Sequence, residues 1–186
     1  MKLVAISGSL RRGSSNTALL EAASGVAPAD VEFDFYNIEA LPHFNPDLEM
    51  GALPSAAADL RARIGRAAGI VISTPEYAHG LPGSLKNALD WLVGSVELPE
   101  KPVALLWVEG RGEFAQPQLR EVLRTMSVHI VAEASIAVPL YGQASTADAV
   151  LADPAARTAL TDALAAFRAA IDAIGTVASG TAPRTV

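Results

Sequence analysis

Three stretches of this chain are apolar at consecutive positions for the length of a strand: Lys2–Ser7, Gly69–Thr74 and Pro102–Val108. A strand with one wet face alternates apolar and polar residues. A run that is apolar throughout belongs to a strand buried on both faces, as in a parallel sheet covered by helices. Each run leads into a polar, glycine-bearing loop and then into apolar residues at helical spacing. Repetition of strand, loop and helix predicts an α/β doubly wound sheet.

The remaining elements fit that class. Val31–Tyr36 alternates apolar and polar residues, which places it at a sheet edge. A fifth strand is expected over Ile130–Val138. Helices are expected over Asn16–Ser24, Ser55–Ala68 and Ser84–Gly94, from about Pro117, and from Pro154 to Ile174 with Gly175 as the stop. Residues 37–54 hold three prolines and a glycine and read as a long loop, as does Pro139–Ala152. The expectation is five parallel strands in the order 2-1-3-4-5, helices on both faces, in one domain over residues 1–175. A disordered tail is expected over 176–186.

In such sheets ligands bind beyond the carboxyl ends of the strands, where strand order reverses. The loops after strands one, three and four share that edge, and the reversal falls between strands one and three. Several chemistries are excluded before the loops are read in detail. With no cysteine there is no thiolate nucleophile, Cys-ligated zinc or iron–sulfur cluster. A net charge of −6 is not a nucleic-acid footprint. No run reaches the ~18 apolar residues of a membrane span, and the arginines near the start follow the apolar run rather than precede it as in a signal peptide.

The first loop, Gly8-Ser9-Leu10-Arg11-Arg12-Gly13-Ser14-Ser15, nearly matches the spacing of a triphosphate-binding loop. Ser14 stands where the lysine for the β- and γ-phosphates is needed. Leu10 occupies the second-glycine position of a dinucleotide fingerprint, and Ser7-Gly8-Ser9-Leu10-Arg11 is not a nucleophile elbow. What remains is a cradle of hydroxyls, N–H groups and arginine suited to a terminal phosphomonoester. The second loop, Pro75-Glu76-Tyr77-Ala78-His79-Gly80-Leu81-Pro82-Gly83, places Tyr77 to lie against a flat ring. Glu76 and His79 could act as an acid–base pair, but no third ligand completes a metal site. His43 and His129 read as solvated, and Trp91 and Trp107 as core or interface aromatics.

Two stretches together resemble the NAD(P)H-dependent FMN reductase family, the flavodoxin-like group that includes chromate, quinone and azo-dye reductases. They are Gly8–Asn16, and Thr74-Pro75-Glu76-Tyr77 with Pro82-Gly83-Ser84-Leu85-Lys86-Asn87-Ala88-Leu89-Asp90-Trp91. The resemblance spans about residues 3–175 and implies a flavodoxin-like fold. It implies that Ser9, Arg11, Ser14, Ser15 and Asn16 hold the phosphate of noncovalent FMN. It places Pro75, Glu76, Tyr77 and Ala78 along the isoalloxazine, with Gly110 as a further ring contact. NAD(P)H would be the co-substrate, and a quinone, azo compound, chromate-like oxyanion or free flavin the acceptor. The cofactor carries such chemistry, so no catalytic side chain is implied. The lack of cysteine, signal peptide and membrane span leads to the expectation of a soluble, cytoplasmic protein; the family implies a homodimer or homotetramer, with the helix that carries Trp91 as a candidate interface element. The chain departs from the pattern at Ala78-His79-Gly80 and at Trp107–Gly112, where Arg111 faces either solvent or a nucleotide 2′-phosphate. Two other readings stay open: an FMN-binding electron carrier or redox sensor that does not turn over NAD(P)H, and a nucleotide-binding phosphoryl-transfer protein.

Overall fold

The computed structural model describes residues 1–140 and 144–180. The three apolar runs become β1 (Lys2–Ser7), β3 (Gly69–Ser73) and β4 (Pro102–Val108), with β2 (Glu32–Tyr36) on the outer side of β1. All pairings are parallel, in the order β2-β1-β3-β4-β5. Successive side chains leave opposite faces of a strand, and the two cores obey that period. Val4, Ile6, Ile70, Ile72, Val103 and Leu105 pack under α3 (Ser55–Arg66), α4 (Gly83–Val93) and α5 (Ala115–Thr125). Leu3, Ala5, Val71, Ala104 and Leu106 pack on the other face under α1 (Ser15–Val26), α6 (Ala147–Leu151) and α7, which begins at Pro154. The flavodoxin-like three-layer sandwich follows directly from that alternation.

The expected fifth strand is broken in two. β5 (His129–Ile130) and β6 (Ile136–Val138) both pair with β4, and a 3₁₀ turn over Ala132–Ala134 separates them. Ser135 bridges the gap. Its Oγ donates to the Val131 carbonyl (2.8 Å) and accepts the Leu105 N–H (3.1 Å), replacing a ladder bond with a buried side chain. The expected loop over residues 37–54 carries a 3₁₀ turn (Ile38–Ala40) and a short helix, α2 (Pro46–Met50). Its middle is fastened to α4. Asn87 accepts the Phe44 N–H (2.7 Å) and donates to the Pro42 carbonyl (2.9 Å), which also accepts Trp91 Nε1 (2.8 Å).

Trp91 is therefore fully buried within its own chain, edge-on to Phe44 at 5.1 Å, and is not an interface residue. The loop expected after Pro139 contains α6, capped by the Thr146 side chain. Gly175 does not stop the last helix: α7 runs from Pro154 to Gly180. A glycine inside a helix costs about 1 kcal/mol relative to alanine but does not forbid the helix. The rest of the expected tail, 181–186, lies outside the described residues. Among the described residues no helix is long and apolar enough to cross a membrane, and no group of three or more His, Asp or Glu could hold a metal.

Candidate functional site

The loops after β1, β3 and β4 enclose a cleft of about 440 Å³ at the carboxyl edge of the sheet. That volume lies in the range of small-molecule sites, ~300–1,000 Å³. Ser9, Arg11, Ser14, Ser15 and Asn16 line one end, and Pro75, Glu76, Tyr77 and Gly110 the other. Thr74, Trp107, Val108, Arg111, Gly112 and Glu113 complete it. Nine of the ten residues expected to meet the cofactor thus share one cavity. The tenth, Ala78, is outside the lining.

The two glycines of the first loop have separate causes. A β-carbon on Gly8 would lie 2.3 Å from Thr74 Oγ1, because β1 and β3 converge there and the Gly8 N–H donates to the Ser73 carbonyl (2.8 Å). Gly13 has φ +66°, in the left-handed region that side chains disfavour. Ser14 caps α1: its Oγ accepts the Asn16 N–H at 3.2 Å, and its carbonyl takes the first helical bond, from Ala18. The strand ends grip the same turn. Ser7 Oγ pairs with Thr17 Oγ1 (2.8 Å), and Ser73 Oγ donates to Asn16 Oδ1 (3.0 Å). With Oδ1 engaged, the donor end of the Asn16 amide is the one left for a ligand.

The Ser15 and Thr17 N–H groups, in the first turn of α1, have no acceptor among the described residues. Arg11 is exposed at the rim, forms no ion pair among the described residues, and its N–H rests on Ser9 Oγ (3.3 Å). A helix N-terminus, three hydroxyls, an amide and a guanidinium converge here, as an anion requires. The opposite end is lined by Pro75, Tyr77, Trp107 and Val108, with Thr74, Glu76, Arg111 and Glu113 among them. Arg120 stacks over the Trp107 ring, with its guanidinium carbon 5.6 Å from the centroid. One phosphate joined to a planar ring fits a cleft with anion donors at one end and the rings of Pro75, Tyr77 and Trp107 at the other.

The second loop is held from α5. Glu76 Oε2 accepts the N–H groups of Phe114 (2.7 Å) and Ala115 (3.0 Å), capping that helix although it lies 39 residues earlier in the chain. Tyr77 and Gly80 exchange two backbone bonds of 3.0 Å, closing a two-residue turn. Ala78 (φ +49°) and His79 (φ +57°) occupy its centre, both in the left-handed region. This is the geometry of a type I′ turn, which asparagine and glycine usually fill. It carries Ala78 away from the cleft. His79 stacks on Phe114 at 4.2 Å, and Gln118 ties the turn down, donating to the His79 carbonyl (3.1 Å) and accepting the Leu81 N–H (3.3 Å). Neither His79 nor the exposed His43 and His129 lines the cleft.

The bonds from Ala115 and Phe114 hold the Glu76 carboxyl below its ordinary value. A carboxylate depressed in the fold contributes stability above its unfolded pKa, and that contribution is lost as pH falls through the folded value. The tie between the second loop and α5 should therefore be constant at neutral pH and weaken only in acid, below the ordinary carboxyl value of 4.5. Thermal melting across that range checks it. Glu76→Gln should show a shallower acid dependence than the parent chain, and identical pH profiles would refute the capping role.

The lining residues Thr74, Trp107, Val108, Gly112 and Glu113, and the supporting Phe114 and Gln118, carry no mark of cofactor contact in the sequence. In the sequence Trp107 reads as a core or interface aromatic and Val108 as the end of a strand. Phe114 and Gln118 lie on either side of Pro117, where the helix is expected to begin, yet α5 starts at Ala115. The two left-handed glycines of the third loop, Gly110 (φ +73°) and Gly112 (φ +82°), are the signal that could have marked it as a shaped loop.

Comparison with known proteins bears on the same region. Residues 1–143 match the family model of NADPH-dependent FMN reductases. The chain is 33% identical over 174 residues to an NAD(P)H-dependent FMN reductase of Pseudomonas aeruginosa, covering 90% of this chain and 94% of that one. It is 34% identical over 151 residues to a probable NADPH:quinone oxidoreductase of Oryza sativa, covering 77% of each. Among solved structures it is similar to FerB, a flavoenzyme NAD(P)H:(acceptor) oxidoreductase from Paracoccus denitrificans. The TM-score is 0.82 at 28% identity, over 92% of this chain and 97% of that one.

Proposed function

We infer the working of the cleft from one premise: the chain belongs to the NADPH-dependent FMN reductase family, and so is an oxidoreductase that uses FMN with NAD(P)H as electron donor. Ser9, Arg11, Ser14, Ser15 and Asn16 hold the FMN phosphate, and Pro75, Glu76, Tyr77 and Gly110 lie along the ring. The observation that carries this assignment is the meeting of an anion cradle and the Pro75, Tyr77 and Trp107 rings in one cleft. Bound there, FMN supplies hydride acceptance from NAD(P)H and electron delivery to a second substrate. The protein's part is placement. The first turn of α1 orients the phosphate, Ser73 fixes the Asn16 amide, and Glu76 and Gln118 hold the Pro75–Leu81 loop against α5.

The acceptor is a quinone or free flavin, the classes named for the relatives. The test is oxidation of NADPH or NADH by the FMN-loaded chain with and without a benzoquinone. Quinone should accelerate it many-fold, and removal of FMN should abolish it. Loaded protein that consumes neither nucleotide would sink the reading and leave an electron carrier in its place.

The chain acts in the cytoplasm, where the pyridine nucleotide donor is found, and as a homodimer or homotetramer. An apolar groove of about 490 Å³ lies beside Tyr77, lined by Leu81 and Val122, with Lys86 on α4 and Glu121 on α5. Sedimentation equilibrium checks the assembly, and a monomer at every concentration would contradict it.

A further inference from the structure

One buried side chain of α5 has no partner for either end of its amide among the described residues. Gln116, in the first turn of α5, is only 7% exposed, yet neither its Oε1 nor its Nε2 has a hydrogen-bond partner among the described residues. Buried amides are almost always paired, so an orphan with both ends unmet needs a reason. Its place supplies one. Gln116 lies beneath the third loop: its Cγ and Nε2 are 3.2 and 3.9 Å from where a β-carbon on Gly112 would sit. Gly110, Gly112 and Glu113 all line the cleft. Their three N–H groups also lack acceptors among the described residues. An unmet amide thus lies beside unmet main chain, and the two glycines with φ of +73° and +82° supply the backbone freedom for the loop to shift.

We propose that Gln116 is a positioning residue for the ring end of the cleft, whose amide pairs with the main chain of Gly110–Glu113 when the flavin ring is bound. The ring presses the loop from the cleft side, and Gln116 receives it from below. Part of the binding free energy then comes from hydrogen bonds inside the protein rather than to the ligand. The neighbouring contacts keep the two elements together: Glu76 caps the first turn of α5, and the Gln116 N–H bonded to the Gly112 carbonyl at 3.0 Å keeps the loop within reach of the side chain. Because the inference rests on the FMN reading of the cleft, its test must separate the two.

Gln116→Met keeps the length of the side chain and removes the amide. Two measurements on this variant should move in opposite directions. The melting temperature of the FMN-free chain should hold or rise by about 2–4 °C, since an unpaired buried amide has been replaced by an apolar group. FMN affinity, read from quenching of flavin fluorescence, should fall about tenfold, since the bonds formed on binding are gone. Unchanged affinity in a chain that folds overturns the proposal and leaves the cofactor reading intact. A parent chain that binds no FMN overturns both. Should the variant not fold, the parent chain still decides the matter. Its Gln116 side-chain NH₂ resonances should move downfield as FMN is added, and unmoved resonances would overturn the proposal.

Discussion

Trp91→Ala should lower the stability of the fold by about 3–5 kcal/mol, the loss typical of a large aromatic removed from a core. Domains of this kind are stable by only ~5–15 kcal/mol, so this one change removes a large share. The indole is fully buried, packs edge-on against Phe44, and donates to the Pro42 carbonyl. Its own carbonyl accepts Arg61 Nε at 2.8 Å, so α3, α4 and the 42–44 segment meet at this residue. Trp91→Phe should retain part of the packing and lose the Nε1 bond, giving an intermediate value. Urea unfolding measures both. A loss below about 1 kcal/mol for the alanine variant would mean that Trp91 does not fasten that segment. FMN affinity should hold under folding conditions, because Trp91 is outside the cleft.

Arg11→Ala should leave the fold as it is and weaken FMN by about 1.5–3 kcal/mol, the value of a hydrogen bond to a charged group. Arg11 is exposed and unpaired among the described residues, so nothing in the free chain depends on its guanidinium. Its loss should be felt by FMN and hardly at all by riboflavin, which has the same ring without the phosphate. Equal weakening of both would place Arg11 at the ring rather than at the phosphate.

Much of this was legible because the informative residues are close in sequence or periodic. The runs at Leu3–Ile6 and Ile70–Ile72 can only be strands covered on both sides, and the helices between them follow. The first loop carries its chemistry in nine consecutive residues, and its hydrogen bonds run mostly within itself or to Ser7 and Ser73 at the strand ends beside it. What the sequence hid is set by distant partners. Nothing near Glu76 shows that its carboxylate caps a helix starting at Ala115. Nothing near Ser135 shows that it will take the Leu105 N–H and split a strand. The resemblance places Ala78 along the ring, but Gln118 and Phe114 hold its turn in a left-handed form that local propensity disfavours, and Ala78 lies outside the cleft lining. Gly175 read as a stop because glycine often ends helices, yet α7 continues through it to Gly180.

The central claim is that the turn between β1 and α1 is the anchor for a single phosphate, and paired titrations of the purified chain with FMN and with riboflavin test it most directly. Five residues and the first turn of α1 meet at that end of the cleft, and only FMN offers them an anion. FMN should bind at least about a hundredfold more tightly than riboflavin, the sum of two charge-assisted hydrogen bonds at ~1.5 kcal/mol each. Equal affinities for the two flavins would contradict the account.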